Sequence, residues 1–333
     1  MTMKKFINDP ADLTPELLAG LQIAYSEKIQ LVDEKLVCRA TPKDESKVAI
    51  VTLGGAGHEP ALSGYVGDGM LDISVVGDIF AAPGAPDVVK ALQKMNREAG
   101  VLLVVLNHAG DMMSADMAME MAEDAGVNVK RLNTWEDISA GIDIPKEDKR
   151  GLVGCVPLYK IAGAAAERGW SMDEVLRVTN KFNDNMATLA VAMKTATHPG
   201  TGEYIAELAD DEMEIGMGQH GEGGGGCCKI KTADDTAAVM MGDLVKAVDA
   251  KSGDKLLVIV NGSGATTLME MLIVMNGCKK YLDTLGIEIC GGRCEEILTV
   301  QEMAGFQLFV AKMDDELIDL WGDPCNTPYM TVK

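Results

Sequence analysis

The sequence predicts an α/β fold of two domains, each a mixed, mainly parallel sheet flanked by helices. Three observations carry this prediction. Short aliphatic runs recur along the chain: Lys47–Leu53 (KVAIVTL), Val101–Leu106 (VLLVVL) and Leu256–Val260 (LLVIV). Each runs into a glycine-containing turn, GGAGHEP, NHAGD and NGSGATT, and each turn leads into a helix-like stretch. The chain has 333 residues, a length that suits two domains better than one. β-Branched and aliphatic runs between turn residues describe strands covered on both faces, and their alternation with helices describes parallel connections. Ligands of such sheets bind at the carboxyl ends of the strands, where all three turns fall.

Taken in order, the predicted helices cover Pro86–Glu98, Met112–Asp124, Leu158–Arg168 and Met172–Asn183, and another follows NGSGATT through Asn276. NGSGATT itself reads as a turn and helix cap. After two helices, NDNMATLAVAM opens a new strand-like run, which sets the expected domains at residues 1–185 and 186–333. Met213–Gly218 (MEIGMG) alternates like a strand and delivers His220 at its end. Met113, Met117 and Met121 have helical spacing and are read as core packing rather than as a soft ligand surface.

Composition narrows the function. The chain is 47% hydrophobic but only 4% aromatic, so its 22 methionines are expected to fill space that rings fill elsewhere. A net charge of -21 leaves few cations to neutralise phosphates, which argues against nucleic acid and favours an uncharged small substrate. No segment reaches the roughly 18 apolar residues of a membrane span. The opening MTMKKFINDP is too polar for a signal peptide, so a cytoplasmic protein is expected. Its eight cysteines then read as reduced thiols. Cys227, Cys228, Cys290 and Cys294 form no CxxC pair, and no metal is expected on them.

Three places can carry chemistry. His58 and Glu59 stand in GGAGHEP on a strand-to-helix turn, either as a hydrogen-bonding acid/base pair or as a helix-start histidine satisfied by backbone. That loop lacks the Lys-Ser/Thr of a nucleotide-binding P-loop. Asp111 ends NHAGD, either as a general base kept ionised by a helix N-terminus or as a cap for a helix starting at Met112. His220 stands among seven glycines in GMGQHGEGGGG. Held by glycines such as Gly218 and Gly221, a neutral imidazole can approach a carbonyl carbon and add to it as a hemiaminal, if its other nitrogen is held in the right tautomer. Glu222 either accepts that proton or faces water, and a loop histidine without function is the bland alternative.

Together these loops resemble the K subunit of dihydroxyacetone kinase. The resemblance rests on GGAGHEP (54–60), GYVGDGML (64–71), GDIFAAP (77–83), NHAGD (107–111), GAAAERG (163–169), LADDEMEIGMGQHGE (208–222), NGSGATTLMEM (261–271), EMAGFQLFVAKMDDEL (302–317) and CNTPYM (325–330). It covers essentially the whole chain. It implies a homodimer that binds a short ketose, with His220 bonded covalently to the carbonyl carbon. It further implies that His58 and Asp111 hydrogen-bond the substrate hydroxyls, with Asp111 as general base, and that Gly55, Ala56 and Gly57 approach the ketose with their backbone. Glu59 and Leu106 complete the implied substrate site. Members of this length resemble subunits without a nucleotide domain, which implies no cofactor on this chain. ADP or ATP with magnesium is then expected on a partner L subunit, and a phosphotransferase-system phosphocarrier recharges that nucleotide in some relatives.

The chain departs from the family pattern at three places. Leu106 stands where a lysine is usual, Ala56 where a serine is usual, and HGEGG with the Gly223–Cys228 extension replaces HGEPG. Losing a charged donor at 106 leaves more apolar room. The resemblance therefore admits a different ketose, such as erythrulose, and also a ketose-sensing coactivator without catalysis.

Overall fold

The computed structural model describes residues 4–333. The chain forms two compact units. One comprises Lys4–Thr134, Cys155–Lys181 and Asp319–Lys333, and the other comprises Trp135–Gly154 and Phe182–Ile318. The expected change of domain at 185 lies close to Phe182. The segments 135–154 and 319–333 also change unit, because the chain leaves and re-enters the first unit twice.

The first unit begins with α1 (Leu13–Ala24), β1 (Ile29–Val32), β2 (Leu36–Arg39), β3 (Ala49–Ala56) and β4 (Ile73–Ile79). There follow α2 (Ala85–Lys94), β5 (Val101–Leu106), α3 (Ala109–Asp124) and β6 (Val129–Thr134), then α4 (Cys155–Glu167) and α5 (Met172–Asn183). Its sheet has the order β1-β2-β4-β3-β5-β6. The β4-β3-β5-β6 portion is parallel, and the β1 and β2 edge is antiparallel. Alternation along the strands assigns the faces. Val51, Leu53, Leu103 and Val105 share one core cluster with the apolar residues of α2 and α3. Between them in sequence, Thr52 points to the opposite face, where its hydroxyl meets the Tyr159 hydroxyl of α4 at 2.9 Å.

Helix α3 corrects the reading of its methionines. Met113, Met117 and Met121 are exposed, at 65%, 54% and 44%. The core-facing stripe is instead Ala115, Ala118 and Ala122, each at 0%. Small side chains let the helix axis lie close on the sheet, so the bulky stripe is turned outward.

The second unit contains β7 (Met186–Lys194), β8 (Glu212–Ile215), β9 (Cys227–Lys229), α6 (Ala233–Ala247), β10 (Lys255–Gly262), α7 (Leu268–Leu285), β11 (Glu288–Glu296) and β12 (Ala304–Met313). Its order is β11-β10-β12-β7-β8-β9. Here the mixed sheet holds, but the expected parallel majority does not. Only β10 and β11 pair in parallel, and the other four pairings are antiparallel. The reason is connectivity. A parallel pair needs a crossover, which α7 supplies, whereas β7, β8 and β9 follow one another with no intervening helix. Helix α7 is capped as NGSGATT suggests. Thr267 accepts from the Glu270 backbone while the Glu270 side chain accepts from the Thr267 backbone, a capping box. Helices α6 and α7 cover the face built by Leu189, Val258 and Leu308. Among the described residues no helix is long and apolar enough to cross a membrane.

Candidate active site

In the first unit, two adjacent parallel strands deliver the candidate residues. Leu53 of β3 pairs with Val105 of β5, so the turns after Ala56 and after Leu106 leave the same edge of the sheet side by side. His58 is buried, at 8% exposure. Its ring packs on Phe80 with centroids 5.0 Å apart. Glu59 folds back to accept the Gly57 backbone N–H at 3.0 and 3.2 Å. Burial pushes the Glu59 carboxyl up, and the bond from Gly57 opposes that. A Cβ at Gly55 would stand 2.8 Å from the Ala81 nitrogen, so the backbone there runs against the Phe80–Ala81 turn. GDIFAAP thus braces this turn on one side, but the helix expected after GGAGHEP does not form. Pro60 disfavours helical backbone at Glu59, and the chain passes through a single 3-10 turn at Ser63–Tyr65 into β4.

Asp111 does not cap a helix starting at Met112. The helix starts at Ala109, His108 is its N-cap residue, and Asp111 lies in the first turn. A carboxylate at that position faces the exposed N–H groups and the positive end of the helix dipole. Burial pushes the Tyr159 phenol well above its ordinary range, with Asp111 nearby as a lesser contributor. Leu106 is buried at the end of β5, at 5% exposure. Sequence reading passed over His108, and the only available signal was its place in NHAGD.

In the second unit, β8 delivers the His220 loop and β9 receives it. The loop is pinned rather than slack. Gly216 N donates to Ala190 O at 2.7 Å, Gly218 N to Glu222 O at 2.7 Å, and Gly225 N to Ile215 O at 2.8 Å. The glycine extension therefore folds back along β8. Glu222 is the key neighbour of His220. One carboxylate oxygen accepts from the His220 backbone at 2.9 Å, and the other lies 3.2 Å from Nδ1. A carboxylate only accepts, so Nδ1 donates in this contact, and in the neutral imidazole the lone pair then falls on Nε2. Burial opposes ionisation of Glu222, but the bonds from His220 outweigh it and hold the carboxyl well below its usual range.

The glycines around His220 clear space for protein atoms. A Cβ at Gly218 would collide with the Glu222 carboxylate and the Arg150 guanidinium. Gly221 has φ 80°, and a Cβ there would lie 2.5 Å from Ile205 O. Cys227 and Cys228 pair with Glu214 and Met213 across the β8–β9 ladder and so face opposite sides of the sheet.

The arrangement is that of a two-sheet α/β protein with its ionisable side chains set at strand ends and loop tips. The chain belongs to the Dak1 family, whose Dak1 domain matches residues 19–329. It is 37% identical to the dihydroxyacetone-binding subunit of a phosphotransferase-system-dependent dihydroxyacetone kinase of Lactococcus lactis, over 100% of this chain and 99% of that one. It is 33% identical to a D-erythrulose kinase of Mycolicibacterium smegmatis, over 98% of this chain and 56% of that protein. Among solved structures, the operon co-activator Dha-DhaQ superposes with a TM-score of 0.90 at 28% identity, covering 96% of this chain and 98% of that chain. The dihydroxyacetone kinase of C. freundii, in complex with AMP-PNP and Mg2+, gives 0.90 at 28% identity, covering 99% of this chain and 61% of that one.

Proposed function

We propose that this chain is the substrate-binding subunit of a dihydroxyacetone-type ketose kinase and that His220 is its covalent hook. The observation that carries the reading is the Glu222 carboxylate 3.2 Å from His220 Nδ1, which leaves Nε2 as the nucleophile. Nε2 adds to the ketone carbonyl carbon, and the proton that Nδ1 loses, passed through Glu222, ends on the carbonyl oxygen. The product is a neutral hemiaminal. A triose offers too few contacts to offset its immobilisation, and a reversible bond supplies what buried area does not. Asp111 then takes the proton of a terminal hydroxyl as that oxygen attacks a phosphoryl group, and His58 hydrogen-bonds the substrate. Gly55, Ala56 and Gly57 offer backbone groups, with Leu106 and Glu59 beside them.

The phosphoryl donor, ATP with magnesium, is assigned to a separate L subunit, in keeping with the absence of a P-loop motif from this sequence. The kinase of Lactococcus lactis is phosphotransferase-system-dependent, and the same indirect recharging is proposed here. The proposal includes a cytoplasmic homodimer. Leu106 favours one variant of the reading. An apolar residue in place of a charged donor suits a longer ketose, and a relative at 33% identity is a D-erythrulose kinase.

The test is phosphoryl transfer to dihydroxyacetone and erythrulose with a cognate L subunit present. Turnover on either supports the kinase. An adduct on His220 without turnover identifies a ketose sensor of the co-activator kind, and no adduct with any short ketose removes the hook.

A further inference from the structure

We propose that Arg150 is the positioning residue of the His220 loop, fixing both the aim and the tautomer of the imidazole. The inference rests on the hook reading above and adds a residue far from the motif in sequence. Arg150 is anchored first on a buried acid. Its Nε donates to Asp137 Oδ2 at 2.7 Å, and Asp137 is 2% exposed. Asp137 is itself fixed, accepting from the Ser139 backbone at 2.9 Å and from its hydroxyl at 3.0 Å.

The far edge of the guanidinium then grips both ends of the loop. Nη2 donates to Gly216 O at 2.9 Å and to Ser139 Oγ at 2.8 Å. Nη1 reaches Glu222 O at 3.5 Å and lies 3.9 Å from its carboxylate. One planar group therefore ties the residue that enters the loop and the residue that holds His220 to a single buried carboxylate. Glu222 in turn holds the His220 backbone and Nδ1. The chain of contacts runs Asp137, Arg150, Glu222, His220, entirely within one compact unit.

Such a clamp is needed because the loop contains seven glycines. Each glycine has more conformational freedom to lose than any other residue, so an untied loop spreads over many states. Gly218 fits the same arrangement, since its missing Cβ is the space that Nη1 and Glu222 occupy. Lysine is no substitute. A point charge on a flexible stem cannot bridge Asp137, Ser139, Gly216 and Glu222 at once. A purely structural ion pair would also fit these distances, and the test must separate the two.

The experiment compares the full chain with Arg150→Met, Arg150→Lys and Arg150→Ala. The His220 ring nitrogens are followed by 15N chemical shift, assigned through their loss in His220→Asn. The wild type is expected to show a protonated Nδ1 and an unprotonated Nε2, and Arg150→Met a mixture of both tautomers. Adduct formation with dihydroxyacetone, read by intact mass, is expected to slow by about 10-fold or more, a usual cost of losing an outer-shell orienting group. Arg150→Lys is expected to recover little of this, whereas millimolar guanidinium added to Arg150→Ala recovers much of it. A structural role alone would lower thermal stability and leave the tautomer unchanged. If the Arg150 variants fail to fold, Ser139→Ala removes only the hydroxyl shared by Arg150 and Asp137, and the same change in smaller degree is expected. A folded Arg150→Met or Ser139→Ala protein with the wild-type tautomer overturns the proposal. If the wild type forms no adduct with any ketose, the hook reading fails, and the clamp stands or falls on the tautomer alone.

Discussion

The rings of Phe80 and His58 pack 5.0 Å apart with their planes tilted by 40°, and Phe80 holds that position from a left-handed backbone at φ 56°. Its N–H donates to Ala56 O at 2.8 Å, so strain at residue 80 is tied directly to the end of β3. Such a conformation costs a non-glycine residue about 1–3 kcal/mol. Removing the ring is expected to loosen His58 and raise KM for the ketose by about 10-fold, since a ring pair contributes roughly 0.5–1.5 kcal/mol. Phe80→Gly relieves the strain and Phe80→Ala retains it, so both variants lose affinity while Phe80→Gly melts at the higher temperature. Wild-type KM in both variants would show that the ring does not position His58.

Glu136 is predicted to make stability fall as pH rises. It is 1% exposed, and one carboxylate oxygen accepts from Leu152 N at 2.6 Å and from Gly154 N at 2.9 Å. Burial pushes its carboxyl up to about 8, against an ordinary value of 4.5. The folded protein therefore holds a proton that the unfolded chain releases between these values. The unfolded state gains from ionisation as pH rises through that window, and the folded state does not. At about 1.4 kcal/mol per unit, the effect amounts to a few kcal/mol. Glu136→Gln keeps the acceptor oxygen and cannot ionise. Thermal melts at pH 5 and pH 8 are expected to differ less for Glu136→Gln than for the wild type, with the variant the more stable at pH 8. Equal pH dependence in the two proteins would refute the assignment.

Features that depend on neighbours in sequence were the legible ones. VLLVVL has no competing pattern, and it is β5 over Val101–Leu106. MEIGMG is read as a strand bringing His220, and β8 does so. The Met113, Met117 and Met121 stripe misled because spacing identifies a helix face but does not say which face is inward. Ala115, Ala118 and Ala122 form an equally periodic stripe with less hydrophobic surface. Sheet direction was legible only where a helix intervenes, as between β10 and β11, and not along β7, β8 and β9. The reading of Glu222 as a proton acceptor or a solvent-facing residue depended on a loop fold that glycines do not dictate. Arg150 was invisible for a plainer reason. It lies 66 positions from Gly216, and no local pattern marks it as belonging to the loop.

Gly218 provides a second route to the same loop. Alanine there adds one methyl group where Glu222 and Arg150 already sit. Both are polar side chains that can move aside, so the fold is expected to survive while Glu222 leaves Nδ1 of His220. Gly218→Ala should then form the ketose adduct about 10-fold more slowly. The thermal midpoint should drop by only a few degrees, as about 1 kcal/mol would cause. Unchanged adduct kinetics would mean that the Glu222 carboxylate does not govern the reactivity of His220.

Leu106 is the residue on which substrate choice is expected to turn. It ends β5 and pairs with Thr134 of β6, one position beyond the pairing of Val105 with Leu53 of β3. In the proposed site, an apolar side chain at 106 adds no hydrogen bond to a ketose hydroxyl, whereas a lysine ammonium would. A hydrogen bond to a charged group contributes about 1.5–3 kcal/mol. Leu106→Lys is therefore expected to raise kcat/KM for dihydroxyacetone by roughly 10-fold or more. Its long side chain also takes up the room beside the substrate, so erythrulose gains less or loses outright. The measurement is the ratio of kcat/KM for the two ketoses, with the same L subunit, in the wild type and the variant. If the ratio does not move toward dihydroxyacetone in a folded Leu106→Lys protein, residue 106 does not set the length of the substrate. Specificity would then have to be sought in the Gly223–Cys228 extension.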